Sequence, residues 1–112
     1  MQANDKPILI YTTFPSLEEA ERIGGDLVHR GLAACVNIVP GMTSIYIWKG
    51  KRQRDSECVG IIKTRSALAD PVMVRVRSLH PYDNPALVVL PIDGGSPEFL
   101  AWIEAQTVAP KV

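Results

Sequence analysis

Three things are scarce in this chain of 112 residues: cysteines, long apolar runs and an excess of charge of one sign. Cys35 and Cys58 are too few for a disulfide-stapled scaffold. No apolar stretch approaches the ~20 residues that a membrane helix needs, and the N-terminus lacks the charged start and apolar run of a secretory signal. We therefore expect a cytoplasmic protein with reduced thiols and no membrane partner.

The charges balance, with twelve basic and twelve acidic residues. The chain therefore lacks the basic stripe that binding to a phosphate backbone requires. One local cluster, Lys49, Lys51, Arg52 and Arg54, flanks Gly50 and is typical of the solvated tip of a hairpin. The sequence also shows no serine or cysteine nucleophile with a nearby base and no phosphate-cradling glycine loop. We expect that the protein binds no nucleic acid and that it is not an enzyme.

What is present is typical of a single globular domain over residues 1–112, with 46% hydrophobic and 21% charged residues. Segments rich in β-branched and apolar residues predict four strands. These strands are expected at 7–13, 32–48, 54–65 and 86–92. Pro40-Gly41 should bend the second strand, because proline removes a donor from the ladder. Residues 49–52 should form the turn that leads into the third strand.

A helix is predicted over residues 16–30. Ser16 and Glu19 have the spacing of a capping box, in which each side chain satisfies the other's free backbone N–H. Apolar residues then recur on one helical face, and Gly31 suits a left-handed C-terminal cap. The capping box predicts where this helix begins, and Gly31 predicts where it ends.

Residues 66–79 fit two interpretations. Part of the segment alternates like a strand, but Asp70-Pro71 can open a helix as cap and first residue, and Pro81 can close it. We prefer the helix, and Ser96-Pro97 opens a further short one. The order β-α-β-β-α-β with a C-terminal helix is that of the α+β split βαβ, ferredoxin-like fold. Its long hairpin arms have edges that another subunit is expected to cover.

Four segments resemble the CutA divalent-cation-tolerance family across nearly the whole chain. They are CVNIVPGMTSIYIWKGK at 35–51, SECVGIIKT at 56–64, HPYDNPALVVLP at 80–91 and FLAWIEAQT at 99–107. The resemblance implies a ferredoxin-like subunit in a homotrimer similar to the PII signalling proteins, with the long β arms pairing between subunits. It also implies a role in tolerance of divalent cations such as copper.

His80 and Cys35 are the candidate metal ligands. Imidazole is the commonest side-chain ligand for copper and zinc, although a histidine at a helix end can instead bond a backbone carbonyl. Cys35 offers a soft sulfur, or it is a small buried hydrophobe. Some members of the family that the chain resembles carry a copper-associated cysteine on the first strand, where Thr12 stands here. We therefore expect Cu²⁺ or another divalent cation to bind weakly.

A second set of polar and aromatic residues also has two interpretations. Its members are Asn37, Tyr46, Trp48, Glu57, Lys63, Tyr82 and Trp102. They could lock the trimer through an ion pair and aromatic packing, or they could line a polar cleft between subunits that binds a small ligand. In the second case the protein is a PII-like sensor of a small anionic metabolite, which the basic tip at 49–54 contacts.

Overall fold

The computed structural model describes residues 5–108 and has a ferredoxin-like architecture. Its elements are β1 (Pro7–Phe14), α1 (Leu17–His29), β2 (Cys35–Trp48), β3 (Lys51–Arg65), α2 (Ala69–Leu79), β4 (Leu87–Pro91) and α3 (Pro97–Gln106). The strands form one antiparallel sheet in the order β2-β3-β1-β4. This confirms the predicted α+β split βαβ fold. No helix within this described part is both long and apolar enough to span a bilayer.

Helix α1 begins where the sequence predicts, because Ser16 caps it. The Ser16 hydroxyl oxygen accepts the backbone N–H of Glu19 at 3.2 Å. The predicted return bond of the capping box was wrong, since the Glu19 carboxylate accepts a hydrogen bond from Arg22 instead. The helix ends at His29, and Gly31 follows with a φ of 71°, as a left-handed cap requires.

Residues 66–79 are helical, which confirms the preferred interpretation of that segment. A 3-10 turn over Ser66–Leu68 leads directly into α2, so the helical path starts earlier than predicted. Asp70-Pro71 therefore lie inside the first turn rather than at the cap. Proline fits there because the first N–H groups of a helix have no intrahelical partner. Val72 and Val76 are fully buried on the inner face.

The hairpin between β2 and β3 turns in two residues rather than over 49–52. Lys49 and Gly50 have φ values of 50° and 77°. These left-handed conformations are those of a type I′ turn, whose twist matches that of the flanking strands. β3 therefore starts at Lys51, three residues earlier than predicted.

The predicted bend at Pro40-Gly41 is a β-bulge with one extra residue on β2. Val39 pairs with Val59, whereas Met42 pairs with Glu57. Gly41 has a φ of 84°, a conformation that favours glycine. The extra residue shifts the alternation of side chains, so that even-numbered residues after the bulge share the face of odd-numbered residues before it.

The hairpin register keeps the two cysteines apart. Cys35 pairs with Lys63, five residues along β3 from Cys58, which is ~17 Å at the usual rise of a strand. That distance is too large for a disulfide. Both thiols are free, and Cys58 is buried whereas Cys35 is partly exposed.

One face of the sheet is covered by two helices, and the other is covered only in part, by α3, whose Phe99 ring lies beside Lys63. Helices α1 and α2 cover the first, where one core holds the fully buried Ile10, Phe14, Ile23, Leu27 and Val72. The opposite face, here called the open face, carries the odd-numbered side chains of β1 and β3, whose burial alternates with that of the core residues. The functional site must therefore be sought on the open face or at the ends of the strands.

Candidate functional site

A cavity of about 420 Å³ lies on the open face, beyond the end of β1. The strands contribute Thr13, Tyr46, Trp48 and Glu57 to its lining. The segment between α2 and β4 contributes Tyr82, Asp83, Asn84 and Ala86. The cavity therefore forms where the distal arm of the hairpin runs past β1 and faces the loop that leads into β4.

Tyr46 and Trp48 face this cavity because of the bulge in β2. Residues directly opposite each other in an antiparallel pair carry their side chains on the same face. Met42 is opposite Glu57, and the even-numbered residues beyond it follow the same side. Tyr46, opposite Gln53, and Trp48 therefore lie on the face of Glu57. If β2 kept all its residues but paired regularly, without a bulge, both rings would lie on the opposite face.

Tyr82 and Glu57 link the loop side of the cavity to its strand side. The Tyr82 hydroxyl donates a hydrogen bond to Glu57 Oε2 at 3.1 Å. Burial, and after it the negative charge of Glu57, raises the pKa of Tyr82 to about 12. The phenol therefore stays protonated at neutral pH, and the negative charge of this pair lies on Glu57.

Asp55 adds a second carboxylate beside the cavity. It lies two residues before Glu57 on β3, so both side chains share one face. The Tyr46 hydroxyl donates to Asp55, and this hydrogen bond raises the pKa of Tyr46 above its usual value. Both tyrosine hydroxyls thus point their protons at carboxylates, and the rings remain neutral.

Sequence reasoning missed the acidic residues Asp55 and Asp83 and the neighbouring Asn84. For Asp55 the signal was available, because a spacing of two from Glu57 on a strand places both on one face. Asp83 and Asn84 directly follow Tyr82 in a loop. No periodicity indicates which way loop side chains point, so the structure was needed to place these two residues in the lining.

The structure brings together four of the seven residues predicted for a cleft or a trimer lock. These four are Tyr46, Trp48, Glu57 and Tyr82. Asn37 and Lys63 share the open face but are not part of the lining. The Lys63 ammonium lies 5.1 Å from the ring centroid of Phe99, which stacks on Trp102 at 5.8 Å. Trp102 therefore belongs to a separate aromatic contact on α3.

His80 is buried and fixes the loop side of the cavity. Its Nε2 lies 2.8 Å from the carbonyl oxygen of Thr13, and its Nδ1 accepts the backbone N–H of Tyr82 at 3.1 Å. These partners require the tautomer with the proton on Nε2. The ring also stacks on Phe14, with 5.5 Å between centroids, and lies 4.8 Å from the Tyr82 ring. His80 thus makes the bond to a backbone carbonyl that was the alternative to a metal role.

The two candidate metal ligands lie in different parts of the subunit. His80 contacts Thr13, which pairs with Val59 on β3. Cys35 pairs with Lys63, four residues further along β3, or ~13 Å at strand rise. No set of three or more His, Cys, Asp or Glu side chains within residues 5–108 is grouped so that it could hold a metal ion. The metal roles of His80 and Cys35 stay a prediction.

Thr12, which stands where the resemblance implies a cysteine, is fully buried. It pairs with Gly60 and shares the covered face of the sheet with Ile10 and Phe14. Its hydroxyl oxygen has no hydrogen-bond partner among the described residues. A ligand at this position would lie under the helices, so Thr12 offers no accessible contact for a cation.

The fold and the cavity define a class of protein: a ferredoxin-like subunit whose hairpin projects beyond its sheet and forms an aromatic cleft that contains carboxylates. The chain belongs to the CutA1 divalent ion tolerance protein family, which it matches over residues 8–106. It is 46% identical over 100 residues to the chloroplastic CutA protein of Arabidopsis thaliana. That alignment covers 89% of this chain and 55% of the relative, so the chain spans about half the relative's length.

Solved structures of the family share this fold. The crystal structure of CutA1 from Oryza sativa matches with a TM-score of 0.90 and 44% identity, over 92% of this chain and 94% of that one. The structure of the periplasmic divalent cation tolerance protein CutA from Archaeoglobus fulgidus matches with a TM-score of 0.87 and 44% identity, over 89% and 97% of the two chains. The fold assigned from the sequence is therefore confirmed by comparison as well as by topology.

Proposed function

We propose that the protein acts in divalent-cation tolerance, as a homotrimer that binds divalent cations weakly, copper among them. The observation that carries this proposal is the family match over residues 8–106, because it extends from the first strand to the last helix. The proposed role is one of binding, without a catalytic step.

Two strand edges that have no partner strand within residues 5–108 support the trimer. β2 and β4 are the outer strands of the sheet, and an exposed edge offers its free N–H and C=O groups to another chain. Apolar side chains on both strands are exposed, among them Val39, Ile47 and Val88. Three copies arranged around a threefold axis, with the arm of one against the edge of the next, would cover both edges of every subunit.

Light scattering of the dilute protein is expected to give about three times the mass of one chain. Because folding and association are then linked, the midpoint of thermal unfolding should rise with protein concentration. Val88→Lys on β4 should lower the mass measured by light scattering, because it places a charge at the strand edge that a neighbouring subunit is proposed to cover. Val74→Lys, on the exposed side of α2, is the matched control and should leave the mass unchanged. A wild-type mass of one chain would contradict the trimer.

His80 and Cys35 are the proposed ligands of the weak cation site. Imidazole and thiolate are ligands that copper and zinc prefer. A cation at Nδ1 of His80 must first displace the backbone N–H of Tyr82, and this cost lowers the affinity. Cys35 is partly exposed, so its sulfur needs less rearrangement. Because ~13 Å of strand separates the two positions, each binds a cation separately unless another subunit completes the site.

A Cu²⁺ titration at pH 7.5, with a non-chelating reductant, tests these ligands. Wild type is expected to bind in the micromolar range, or about −8 kcal/mol, and His80→Gln at least about tenfold more weakly. Glutamine keeps an amide donor for the Thr13 carbonyl, so the loop should stay in place. His29→Gln, at the exposed end of α1, is the control and should bind like wild type. Equal affinities for wild type, His80→Gln and Cys35→Ser would remove both residues from the proposed site.

The carboxylates of the cavity favour a cation over the anionic metabolite of the alternative hypothesis. Glu57 and Asp83 line the cavity, and none of its eight lining residues is basic. The cations of the tip, such as Lys49 and Arg52, are exposed at the end of the hairpin. An anion would therefore bind at the tip rather than in the cavity.

We place the protein in the cytoplasm. Two free cysteines that are far apart suit a reducing compartment. The Archaeoglobus relative is a periplasmic protein, and cell fractionation distinguishes the two compartments for this chain. Cell fractionation that recovers the chain outside the cytoplasm would contradict this placement.

A further inference from the structure

The cavity combines aromatic walls with negative charge. Tyr46, Trp48 and Tyr82 contribute three rings to the lining, and Glu57 and Asp83 contribute two carboxylates. In the single subunit all three rings are partly exposed, so their faces are open to a ligand. Because no lining residue among those that the structure describes is basic, these residues do not neutralise the two negative charges from within the cavity.

The tyrosines increase the preference of this cavity for a positive charge. The Tyr82 hydroxyl donates its proton to Glu57, and the Tyr46 hydroxyl donates to Asp55. Neither proton is therefore directed at a ligand, and the oxygen atoms keep lone pairs that can accept from an N–H donor. An anion entering the cavity would meet carboxylates and hydroxyl lone pairs, whereas a cation would be attracted by both.

The aromatic rings favour an organic cation over a metal ion. The faces of tryptophan and tyrosine attract ammonium groups through their quadrupoles, most strongly when the cation is weakly hydrated. A hydrated divalent metal ion would instead need several oxygen ligands, and no such set of side chains is grouped within residues 5–108. The Lys49 ammonium lies 6.0 Å from the centroid of Trp48, so an ammonium group can approach this ring to a distance at which cation–π attraction acts.

The size of the cavity agrees with a small organic ligand. Its volume of about 420 Å³ lies within the range of ~300–1,000 Å³ that is usual for small-molecule sites. A bare metal ion would leave most of that space to water. The hydrogen bond between Tyr82 and Glu57 and the two bonds of His80 hold the walls in place before any ligand arrives.

We propose that this cavity binds a small organic ammonium ion, with Glu57 as its counter-charge and Tyr46, Trp48 and Tyr82 as the aromatic walls. This site goes beyond the role in divalent-cation tolerance and does not depend on it. The proposed metal ligands His80 and Cys35 are not part of its lining, so a variant of Glu57 tests this site and leaves both metal ligands unchanged.

Tetramethylammonium chloride and tert-butanol are the probes for this site, because they have similar size and differ in charge. The chain has two tryptophans, and only Trp48 lines the cavity. Trp102→Phe therefore leaves Trp48 as the only tryptophan reporter. Tetramethylammonium added to this variant in its assembled form should change the Trp48 fluorescence until the signal saturates. tert-Butanol should bind at least about tenfold more weakly.

Two glutamate variants test the counter-charge. Glu57→Gln preserves the shape of the side chain and an acceptor for the Tyr82 hydroxyl, but it removes one negative charge. It should weaken the binding of tetramethylammonium about tenfold. Glu18→Gln removes a charge on the exposed first turn of α1 and should leave the binding unchanged. Equal binding by the two glutamine variants would overturn the proposal.

The basic hairpin tip of a neighbouring copy is the competing occupant. If a tip filled the cavity in the assembly, wild type would not bind tetramethylammonium, whereas Lys49→Ser with Lys51→Ser would do so. That result, or equal affinities for tetramethylammonium and tert-butanol, would also overturn the proposal. Binding by wild type that is lost in Glu57→Gln would support it. Light scattering and the Cu²⁺ titration are separate measurements, so a failure of the tolerance role would be recognised independently.

Discussion

Gly60→Ala is expected to lower the free energy of unfolding by about 2 kcal/mol. An added Cβ would lie 2.5 Å from Cε2 of Phe14 and 3.0 Å from Cγ2 of Thr12. Both neighbours are fully buried, so neither side chain has free space into which it can move. Phe14 also stacks on His80, and its displacement would disturb the loop side of the cavity. Denaturant unfolding of the variant measures the loss.

Gly25→Ala is the matched control for this substitution. A Cβ at Gly25 meets nothing within 4 Å, and the residue lies inside α1. Alanine is a better helix former than glycine, so this variant should be more stable than wild type by up to about 1 kcal/mol. The two substitutions should therefore change the free energy of unfolding in opposite directions. Similar losses at both positions would show that the contact between Gly60 and Phe14 is not tight.

His80→Ala is expected to lower the free energy of unfolding by about 3 kcal/mol. The substitution removes a buried ring that stacks on Phe14. It also leaves the carbonyl of Thr13 and the backbone N–H of Tyr82 without their partner. Each unpaired group costs ~1–2 kcal/mol if water does not replace the histidine. Tetramethylammonium should also bind more weakly, because Tyr82 would lose the contact that positions it.

The other histidine and a conservative replacement serve as controls for His80→Ala. His29→Ala, at an exposed position on α1, should change the stability by less than about 0.5 kcal/mol. The stability of His80→Gln should lie between that of wild type and that of His80→Ala, because the glutamine amide can still donate to the Thr13 carbonyl. If His80→Ala were as stable as His29→Ala, the ring would not hold the loop in the way described.

The fold could be predicted because hydrophobic periodicity and helix boundaries are local properties of the sequence. The segment 66–79 shows the limit of this reasoning, since the helix was predicted but its start was not. The 3-10 turn over Ser66–Leu68 has no side-chain cap, so no residue type indicates it. The hairpin turn was placed over too many residues because Lys49, unlike glycine or asparagine, does not indicate a left-handed conformation.

Apart from Tyr82, the candidate site was predictable only where strands carry it. Tyr46, Trp48 and Glu57 could be grouped by alternation along two paired strands. Asp83 and Asn84 could not, because a loop has no period that fixes which side chains point inward. The bond between His80 and Thr13 joins residues 67 positions apart in the chain, and such a contact depends on the tertiary fold. The grouping of carboxylates and aromatic rings in one cavity therefore became visible only in the folded structure.

The bulge at Pro40-Gly41 limits how the length of the hairpin arm can vary. It sets which face each later residue of β2 occupies, and that alternation has a period of two. Deletion of Thr43 alone would turn Tyr46 and Trp48 to the other side of the sheet and bring Ile45 and Ile47 to the cavity. Insertions and deletions between Met42 and Trp48 should therefore be tolerated only in pairs. The loop at 92–96, which pairs with no strand, has no such restriction on its length.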